Sequence, residues 1–446
     1  MRETDTDAAD QFDSKGRATD ERAPNLLGRY RRLPANVFFI SLVSLLNDAS
    51  SEIIYPLLPV FLSGVLSASP AVIGLIEGGA ESVSGFLKLF AGYYSDRLRR
   101  RKGPVVFGYA LASAVRPLLG YAQTWQQVFA VRLTDRVGKG IRSAPRDAMI
   151  ADSSRPAERG LAFGFHRAMD HAGAVVGPLI GYFLIASIAQ NRNAPTHGEY
   201  EHVFLLASVP ALFAVLVAAL LVRETTHGRD DAKGDARTSA RAGGIAAASS
   251  KPRLTLRGFD ANFKGFLVVL ALFTLSNSSD AFLLLRARDA GVGVAVIPLL
   301  WAALHASKVL SSLVGGDLSD RLGRKSLIVS GWLLYAAVYA GFAFVSTATG
   351  AWSLFLIYGV YFGLAEGAEK ALVADLVPAD KRGTAFGLYN LALSVTYLPA
   401  SLLMGALWDW RGAHFAFLFS AALGSTAALL LLLTIRTKTA LIGAKG

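Results

Sequence analysis

The 446-residue sequence contains no cysteine, and only 17% of its residues are charged. The absence of cysteine excludes disulfides, thiolate metal sites and cysteine nucleophiles. Soluble domains carry about 25% charged residues, so the scarcity of charge argues against a soluble protein. Because 53% of the residues are hydrophobic, we expect an all-α polytopic membrane protein in contact with the lipid bilayer.

The sequence also lacks the signatures of common enzymes. Residues 316–326 do not end in the Gly-Lys-Ser/Thr of a phosphate-binding loop, no GxGxxG follows a predicted strand, and HExxH and GxSxG are absent. We therefore expect no enzyme activity, no cofactor and no bound metal. Without a nucleotide site, an ion gradient is the expected energy source of any transport.

Twelve segments are long and apolar enough to cross a bilayer, which requires about 20 residues. They are 35–64, 70–95, 104–121, 126–150, 159–187, 201–222, 263–285, 292–317, 327–346, 352–375, 383–407 and 414–435. With the N-terminus in the cytoplasm, 31 of the 45 Lys and Arg residues fall in cytoplasmic segments and 4 in outer loops. The positive-inside rule then places both termini in the cytoplasm, and we expect a bacterial inner membrane. This distribution explains the net charge of +12 without a nucleic-acid partner.

The two halves of the chain repeat each other. Gly-x-x-Ser-Asp-Arg-Leu begins at Gly92 and again at Gly316, and residues 147–152 correspond to residues 370–375 at an offset of 223. A constant offset of half the chain predicts two pseudo-symmetric six-helix bundles in one chain, so a monomer suffices. The predicted order is a disordered cytoplasmic tail (1–33), a first bundle (34–223), a cytoplasmic linker (224–261), a second bundle (262–436) and a cytoplasmic tail (437–446).

The fourth span carries a stripe of positive charge. Its basic residues recur at steps of four, three, three and four and are Arg132, Arg136, Lys139, Arg142 and Arg146. At 100° per residue, these five together with Asp135 and Asp147 occupy an arc of about 140°. Charged residues at this depth face a bundle interior or water and are functional candidates.

The first and second spans carry carboxylates. Asn47, Asp48 and Glu52 lie in the first span, and Glu77 and Glu81 lie four residues apart in the second. Asp48 and Glu52 share a helix face. Buried carboxylates can bind and release protons, so this pair is the leading proton carrier. The alternative, compatible with it, is that the pair neutralises the stripe.

These features together resemble the major facilitator superfamily of secondary transporters over residues 35–436. The resemblance rests on twelve spans, a duplicated half and the GxxxDRxGRK loop. The loop residues that the family uses for conformational change are Gly92, Asp96, Arg97, Gly316, Asp320, Arg321, Gly323 and Arg324. Arg99 replaces the turn glycine in the first copy, which puts the usual tight turn there in doubt.

Two further elements are similar to that family. The fifth span contains GAVVGPLIG, which looks like the antiporter motif with Tyr182 in place of its last glycine; the matching residues are Gly173, Gly177, Pro178 and Gly181. It favours export over ordinary close packing. Arg132 matches the leading arginine of the R-x-x-Q-G-x-G element, whereas Asp135 and Arg136 replace its Gln and first Gly.

The resemblance implies that spans 1, 4, 7 and 10 line a central cavity, so that the stripe and Asp280 face the transport path. Two hypotheses follow. In the first, slightly preferred, the stripe binds an anionic or amphiphilic solute. In the second, the stripe serves coupling and gating, and a more apolar compound binds aromatic side chains. Those side chains are Phe273, Trp301, Tyr335, Tyr358, Tyr361, Tyr389 and Tyr397.

Arg146-Asp147 and Glu369-Lys370 occupy equivalent positions in the two halves with opposite signs. We expect them to pair across the pseudo-twofold axis and close the inner gate in the outward-open state. The sequence thus predicts a proton-coupled exporter of a small organic solute that works by alternating access. The alternatives are multidrug efflux and a ligand sensor of the same fold that does not transport.

Overall fold

The computed structural model describes residues 33–98, 100–155, 158–225, 256–378 and 381–435, without the side chains of residues 89, 92–98, 160, 313–317, 319–321 and 383. The predicted N-terminal tail apart from Leu33, the whole predicted C-terminal tail and most of the predicted linker lie outside these ranges. The side chains of Asp96, Arg97, Asp320 and Arg321 and the surroundings of Gly92 and Gly316 are not described either.

Thirteen α-helices and no strand occur in the described ranges. The helices are α1 Ala35–Ile54, α2 Leu58–Gly64, α3 Pro70–Leu98, α4 Lys102–Val115, α5 Trp125–Ser153, α6 Arg159–Ile188, α7 His197–Leu220, α8 Ala261–Ser276, α9 Ala281–Asp289, α10 Ile297–Leu322, α11 Arg324–Phe344, α12 Ala348–Leu376 and α13 Arg382–Thr434. We call residues 34–225 the N half and residues 256–435 the C half.

Eight stretches of helix are long and apolar enough to cross a membrane within the described residues. Helices α3, α4 and α5 are not among them, so length and composition alone do not confirm the predicted count of twelve spans. The last of the eight runs through α13, and Gly412, with φ of 82°, breaks that helix into two. A positive φ costs glycine little because it has no Cβ.

Two helices are interrupted at equivalent places in the two halves. The break after α1 falls at residues 55–57, where Pro56 lacks a backbone N–H. The break between α8 and α9 comprises residues 277–280 and ends at Asp280. Irregular backbone at membrane depth occurs where it is buried in protein or lines a cavity, so these breaks mark the functional region.

Helix α6 packs closely on α1 through the glycines of the antiporter-like motif. A Cβ on Gly173 would lie 2.6 Å from the Leu45 carbonyl oxygen, and one on Gly177 would lie 2.5 Å from that of Ala49. Small residues let two backbones approach in this way. Pro178 follows inside the same helix. The motif therefore fixes the position of the helix that carries Asp48 and Glu52.

The hydrogen bonds between the halves are concentrated at one end of the bundle. Loops 65–69, 189–196 and 290–296 lie at one end of the bundle, which we call end 1. The opposite end is called end 2. At end 1, Ser69 donates to Asp409 at 2.9 Å, and Arg288 donates to Ser63 at 2.7 Å. At end 2, the side chains of Asp147 and Lys370 are about half exposed, at 49% and 48%. Among the described residues, the hydrogen bonds between the halves therefore lie at end 1 and in the middle of the bundle, and end 2 exposes its charged side chains.

Candidate functional site between the two halves

The charged stripe lies on α5, which begins with a capping box formed by Thr124 and Gln127. The stripe follows α5 from end 1 toward end 2. Instead of facing an open cavity along its whole length, it contacts α1, α3 and α4 within the N half. Most of its cations have carboxylate partners there.

Arg132 is paired with Glu77 of α3. Its Nε donates to one carboxylate oxygen at 3.1 Å and its Nη2 to the other at 2.6 Å. The arginine is 5% exposed and the glutamate 2%. Its guanidinium also lies 5.6 Å from the centre of the Tyr55 ring. A buried bidentate pair of this kind holds α5 against α3 in a fixed orientation.

The next turn of α5 repeats the arrangement. Arg136 forms an ion pair with Glu81 of α3 at 3.1 Å, and its Nη1 lies 4.0 Å from Asp135. Its Nε is buried and has no hydrogen-bond partner among the described atoms. Glu77 and Glu81 therefore meet two successive basic residues of the stripe.

The main partner of Asp135 is Arg116, which is not among the predicted site residues. The Arg116 Nε donates to Asp135 at 2.9 Å, and its Nη1 donates to the Asn47 carbonyl and the Ser50 hydroxyl, each at 3.1 Å. Arg116 and Asp135 are each 4% exposed. This ion pair ties the end of α4 to α5 and to α1. The sequence signal that could have identified Arg116 was a single arginine within an apolar span.

Among the described residues, Asp48 and Glu52 form no ion pair with the stripe, so their neutralisation of it stays a prediction. Asp48 accepts a hydrogen bond from the side chain of Asn47 at 3.0 Å, and Glu52 contacts the C half. The carboxylates that pair with the stripe are Glu77 and Glu81 of α3 and Asp147 of α5 itself. The physical reason is that α3 faces Arg132 and Arg136 directly, whereas Glu52 bonds to Trp301 of the C half.

Two cations of the stripe have no carboxylate within ion-pair distance in the described structure. Arg142 is 4% exposed and lies over the Tyr109 ring at 4.3 Å. Its Nε and Nη1 are buried without a hydrogen-bond acceptor. Lys139 is partly buried on the same helix. These two residues hold the unneutralised positive charge of α5.

Glu52 connects the two halves. Its carboxylate accepts a hydrogen bond from the indole Nε1 of Trp301 on α10 at 2.7 Å. The Tyr55 ring lies 5.0 Å from the same indole, centre to centre. A carboxylate of the N half is thus bonded directly to a helix of the C half beside the break in α1.

The C half presents aromatic rings where the N half presents charge. At the offset of 223, Tyr358 and Phe362 on α12 correspond to Asp135 and Lys139. The Tyr358 hydroxyl donates to Asp280 at 2.8 Å, and Asp280 lies 3.5 Å from the ammonium of Lys308. Lys308, on α10, is not among the predicted site residues, although it is the single lysine of an apolar segment.

Of the predicted aromatic residues, Phe273, Tyr335 and Tyr361 form a cluster with Tyr358. Phe273 stacks on Trp332 at 4.1 Å, and Tyr335 lies 5.4 Å from Tyr361, centre to centre. Asn277, in the helix break, donates to the Tyr361 hydroxyl at 3.2 Å. The C half therefore contains a packed aromatic cluster with few charges, which we call the aromatic wall; its rings are at most 5% exposed.

A cavity of about 270 Å³ opens between α3 and α13. Its lining residues are Glu81, Gly85, Lys88, Asn390, Leu393, Ser394 and Tyr397. It brings the Glu81–Arg136 pair next to residues of the C half. No group of three His, Asp or Glu side chains in the described ranges is placed to hold a metal ion.

The predicted gate residues are not brought together in this conformation. Arg146 binds Asp147 and donates to Ser44 at 3.1 Å. Glu369 accepts hydrogen bonds from Trp332 at 2.8 Å and Tyr389 at 3.0 Å. Lys370 pairs with Glu366 at 2.7 Å. In this conformation each of these four gate residues has its partner within its own half.

The second copy of the loop motif is partly described. Gly323 has φ of 83° between α10 and α11, a conformation that favours glycine. Arg324 follows it, donates to the Ala371 carbonyl at 2.9 Å and forms an ion pair with Asp375 of α12. The motif thus joins the α10–α11 turn to the end of α12.

The sequence matches the profile of the Major Facilitator Superfamily over residues 40–399 and again over residues 287–445. The chain belongs to this superfamily. An uncharacterized MFS-type transporter of Methanocaldococcus jannaschii is 34% identical over 408 residues, which cover 90% of this chain and 95% of that protein. The predicted resemblance is confirmed, and the protein is an integral membrane transporter and not an enzyme.

More distant members of the superfamily carry functional names. The class G tetracycline resistance protein of Vibrio anguillarum is 26% identical over 388 residues, covering 81% of this chain and 88% of its own. A bacterial homologue of the human lysosomal transporter Spinster, solved in an inward-facing and occupied conformation, has a TM-score of 0.69 at 18% identity and covers 90% and 96% of the two chains. At that identity the likeness supports the fold alone.

Proposed function

We propose that this superfamily member exports a small amphiphilic solute in exchange for protons, by alternating access between the N half and the C half. The observation that carries the proposal is the hydrogen bond between Glu52 and Trp301 at 2.7 Å. It joins a titratable group of one half to the opposite half. Protonation of Glu52 changes the strength of that bond, and so couples proton binding to the movement of the halves.

The substrate class follows from where charge is already neutralised. Arg132, Arg136 and Arg116 have carboxylate partners inside the N half, so they serve structure and coupling better than substrate binding. The aromatic wall of the C half suits an apolar or amphiphilic compound. This supports the second of the two sequence hypotheses, and the tetracycline resistance relative supports efflux.

The proposed topology has twelve spans and both termini in the cytoplasm of a bacterial inner membrane. In this count α1 and α2 together form one span, α8 and α9 together form one, and α13 forms two, one on each side of Gly412. Helices α3, α4 and α5 also count as spans despite their charge or length. The proposed bundles are residues 34–223 and 262–436, with residues 224–261 as linker. End 2 is then cytoplasmic, and the structure is the inward-open state.

An anionic solute is the second candidate. Arg142 carries two buried N–H donors without acceptors, and Lys139 on the same helix lacks an ion-pair partner in the described structure. An anion bound between them would satisfy both side chains. Arginine recognises carboxylate and phosphate groups in this way.

Thermal unfolding of the purified protein with a panel of solutes separates these candidates. A ligand at a hundredfold excess over its Kd stabilises the protein by about 2.7 kcal/mol. Lipophilic cations are expected to stabilise the wild type and the Arg142→Met variant equally. Stabilisation by organic anions that disappears in Arg142→Met would favour the second candidate.

Counterflow in reconstituted vesicles tests transport itself. Vesicles loaded with an unlabelled stabilising solute are expected to take up the labelled solute faster than protein-free vesicles. Binding without counterflow would instead indicate a sensor of the same fold.

A further inference from the structure

The ammonium group of Lys308 is enclosed by aromatic rings. Its Nζ lies 3.7 Å from the centre of the Phe362 ring, 5.5 Å from that of Trp301 and 6.0 Å from that of Tyr358. Asp280 lies 3.5 Å away on the remaining side. We call Asp280, Trp301, Tyr358 and Phe362 the ammonium cage.

This combination of groups is a recognition site for an alkylammonium. Ring faces attract a cation through their quadrupoles, and the attraction is strongest where water is excluded. The Tyr358 hydroxyl donates to Asp280 at 2.8 Å and so fixes the orientation of the carboxylate. The cage is built from α10, α12 and the break before α9, whereas its occupant is a side chain of α10 itself.

We propose that the ammonium cage is the binding site for a protonated amine or quaternary ammonium group of the substrate, and that Lys308 is a tethered occupant displaced by it. This inference rests on the proposed function and names its substrate class, an amphiphile with one cationic nitrogen. The apolar body of such a compound would lie against the aromatic wall of the C half.

Displacement is feasible because it exchanges one cation for another. Asp280 retains a positive partner throughout, so no buried carboxylate is left alone. The lysine side chain is 16% exposed, and its four-carbon stem lets the ammonium move toward the space between the halves. The Glu52–Trp301 bond lies at the border of the same cage, since Trp301 belongs to both.

The competition has a measurable consequence. Lys308 occupies the cage in the free protein, so it reduces the affinity for an external ammonium. Replacing the lysine by methionine keeps the apolar stem, empties the cage and leaves Asp280 without its cation. Affinity for an external ammonium is then expected to rise.

The experiment measures equilibrium binding of benzyltrimethylammonium to the purified full-length protein by calorimetry. We expect Lys308→Met to bind at least tenfold more tightly than the wild type, and the Lys308→Met/Asp280→Asn double variant to lose the gain. Lys308→Met/Phe362→Leu is expected to lose part of it. Lys264→Met, at the exposed start of α8, serves as the matched control and leaves the affinity unchanged.

Equal or weaker binding by Lys308→Met, with thermal unfolding unchanged, would overturn the inference. Absence of binding in the wild type and in Lys308→Met alike would also overturn it. Counterflow of another solute by the wild type in the same preparation would then show that the proposed function survives. Absence of counterflow with every stabilising solute would count against the proposed function instead.

Discussion

The indole of Trp301 in the C half donates to Glu52 in the N half at 2.7 Å, while the Tyr55 ring lies 5.0 Å from that indole. Rearrangement of the two halves at this point would remove the donor from the carboxylate. Proton binding at Glu52 and the position of the halves are therefore linked, and the linkage is reciprocal.

Trp301→Phe keeps an aromatic ring and removes the N–H donor. A hydrogen bond to a charged group contributes about 1.5–3 kcal/mol, so we expect the inward-open state to lose about 10- to 150-fold in population relative to the outward-open state. Spin-label distances across end 1 measure the shift. Trp410→Phe, at an indole that is 66% exposed, is the control. Unchanged distances in Trp301→Phe would show that the bond does not stabilise this state.

Glu77→Gln breaks the bidentate pair with Arg132. Removing one partner of a buried ion pair costs about 3–5 kcal/mol, because the other charge stays buried without compensation. Denaturant unfolding in micelles measures the loss. Glu366→Gln removes an exposed ion pair with Lys370 and is expected to cost at most about 1 kcal/mol. A similar small loss in both variants would contradict a structural role for the Glu77–Arg132 pair.

The stripe could be predicted from sequence because it depends on helical period alone. Its partners could not, because pairing depends on which helix faces it. Glu77 and Glu81 were visible as an i, i+4 pair, but nothing in their spacing showed that they meet Arg132 and Arg136. The sequence instead suggested Asp48 and Glu52, and Glu52 bonds to the C half rather than to the stripe.

The duplicated half and the family could both be predicted, because each is marked by recurring sequence motifs. The functional asymmetry between the halves could not. Tyr358 was a candidate for substrate binding and Phe362 was not, and the sequence placed neither of them around Lys308. Arg116 and Lys308 were each a single cation in an apolar segment, a signal that is weak until a carboxylate partner is seen.

Gly177→Ala introduces a Cβ 2.5 Å from the Ala49 carbonyl oxygen and 2.8 Å from the Glu52 Cβ. Overpacking of this kind typically costs about 1–3 kcal/mol, and here it also displaces the helix that carries Glu52. We expect lower thermal stability together with slower counterflow. Gly164→Ala, on the same helix but with nothing within 4 Å of its Cβ, should match the wild type. Equal behaviour of the two variants would contradict the close approach of α6 and α1.

The absence of cysteine makes the chain suitable for cross-linking. Ser69→Cys/Asp409→Cys replaces a hydrogen-bonded pair at end 1 and is expected to cross-link readily in the resting protein. Asp147→Cys/Lys370→Cys, at end 2, should cross-link only when the outward-open state is populated. Either cross-link should stop counterflow, and reduction should restore it. Full transport by a protein cross-linked at end 1 would contradict alternating access.

The pairing of Arg146 with Glu369 across the two halves stays a prediction for the outward-open state. Exchanging the two residues is expected to retain counterflow, whereas each single charge reversal should lower it strongly. Because Glu369 accepts from Trp332 and Tyr389 here, unfolding measurements must accompany the transport assay. A double exchange no more active than either single change would disprove the pairing.

Proton coupling through Glu52 is tested most directly by Glu52→Gln in vesicles. Glutamine can accept the Trp301 hydrogen bond in the same place but cannot release a proton. We predict that counterflow continues while transport driven by a pH gradient falls to the level of protein-free vesicles. Gradient-driven transport that survives in Glu52→Gln at the wild-type rate would contradict the account.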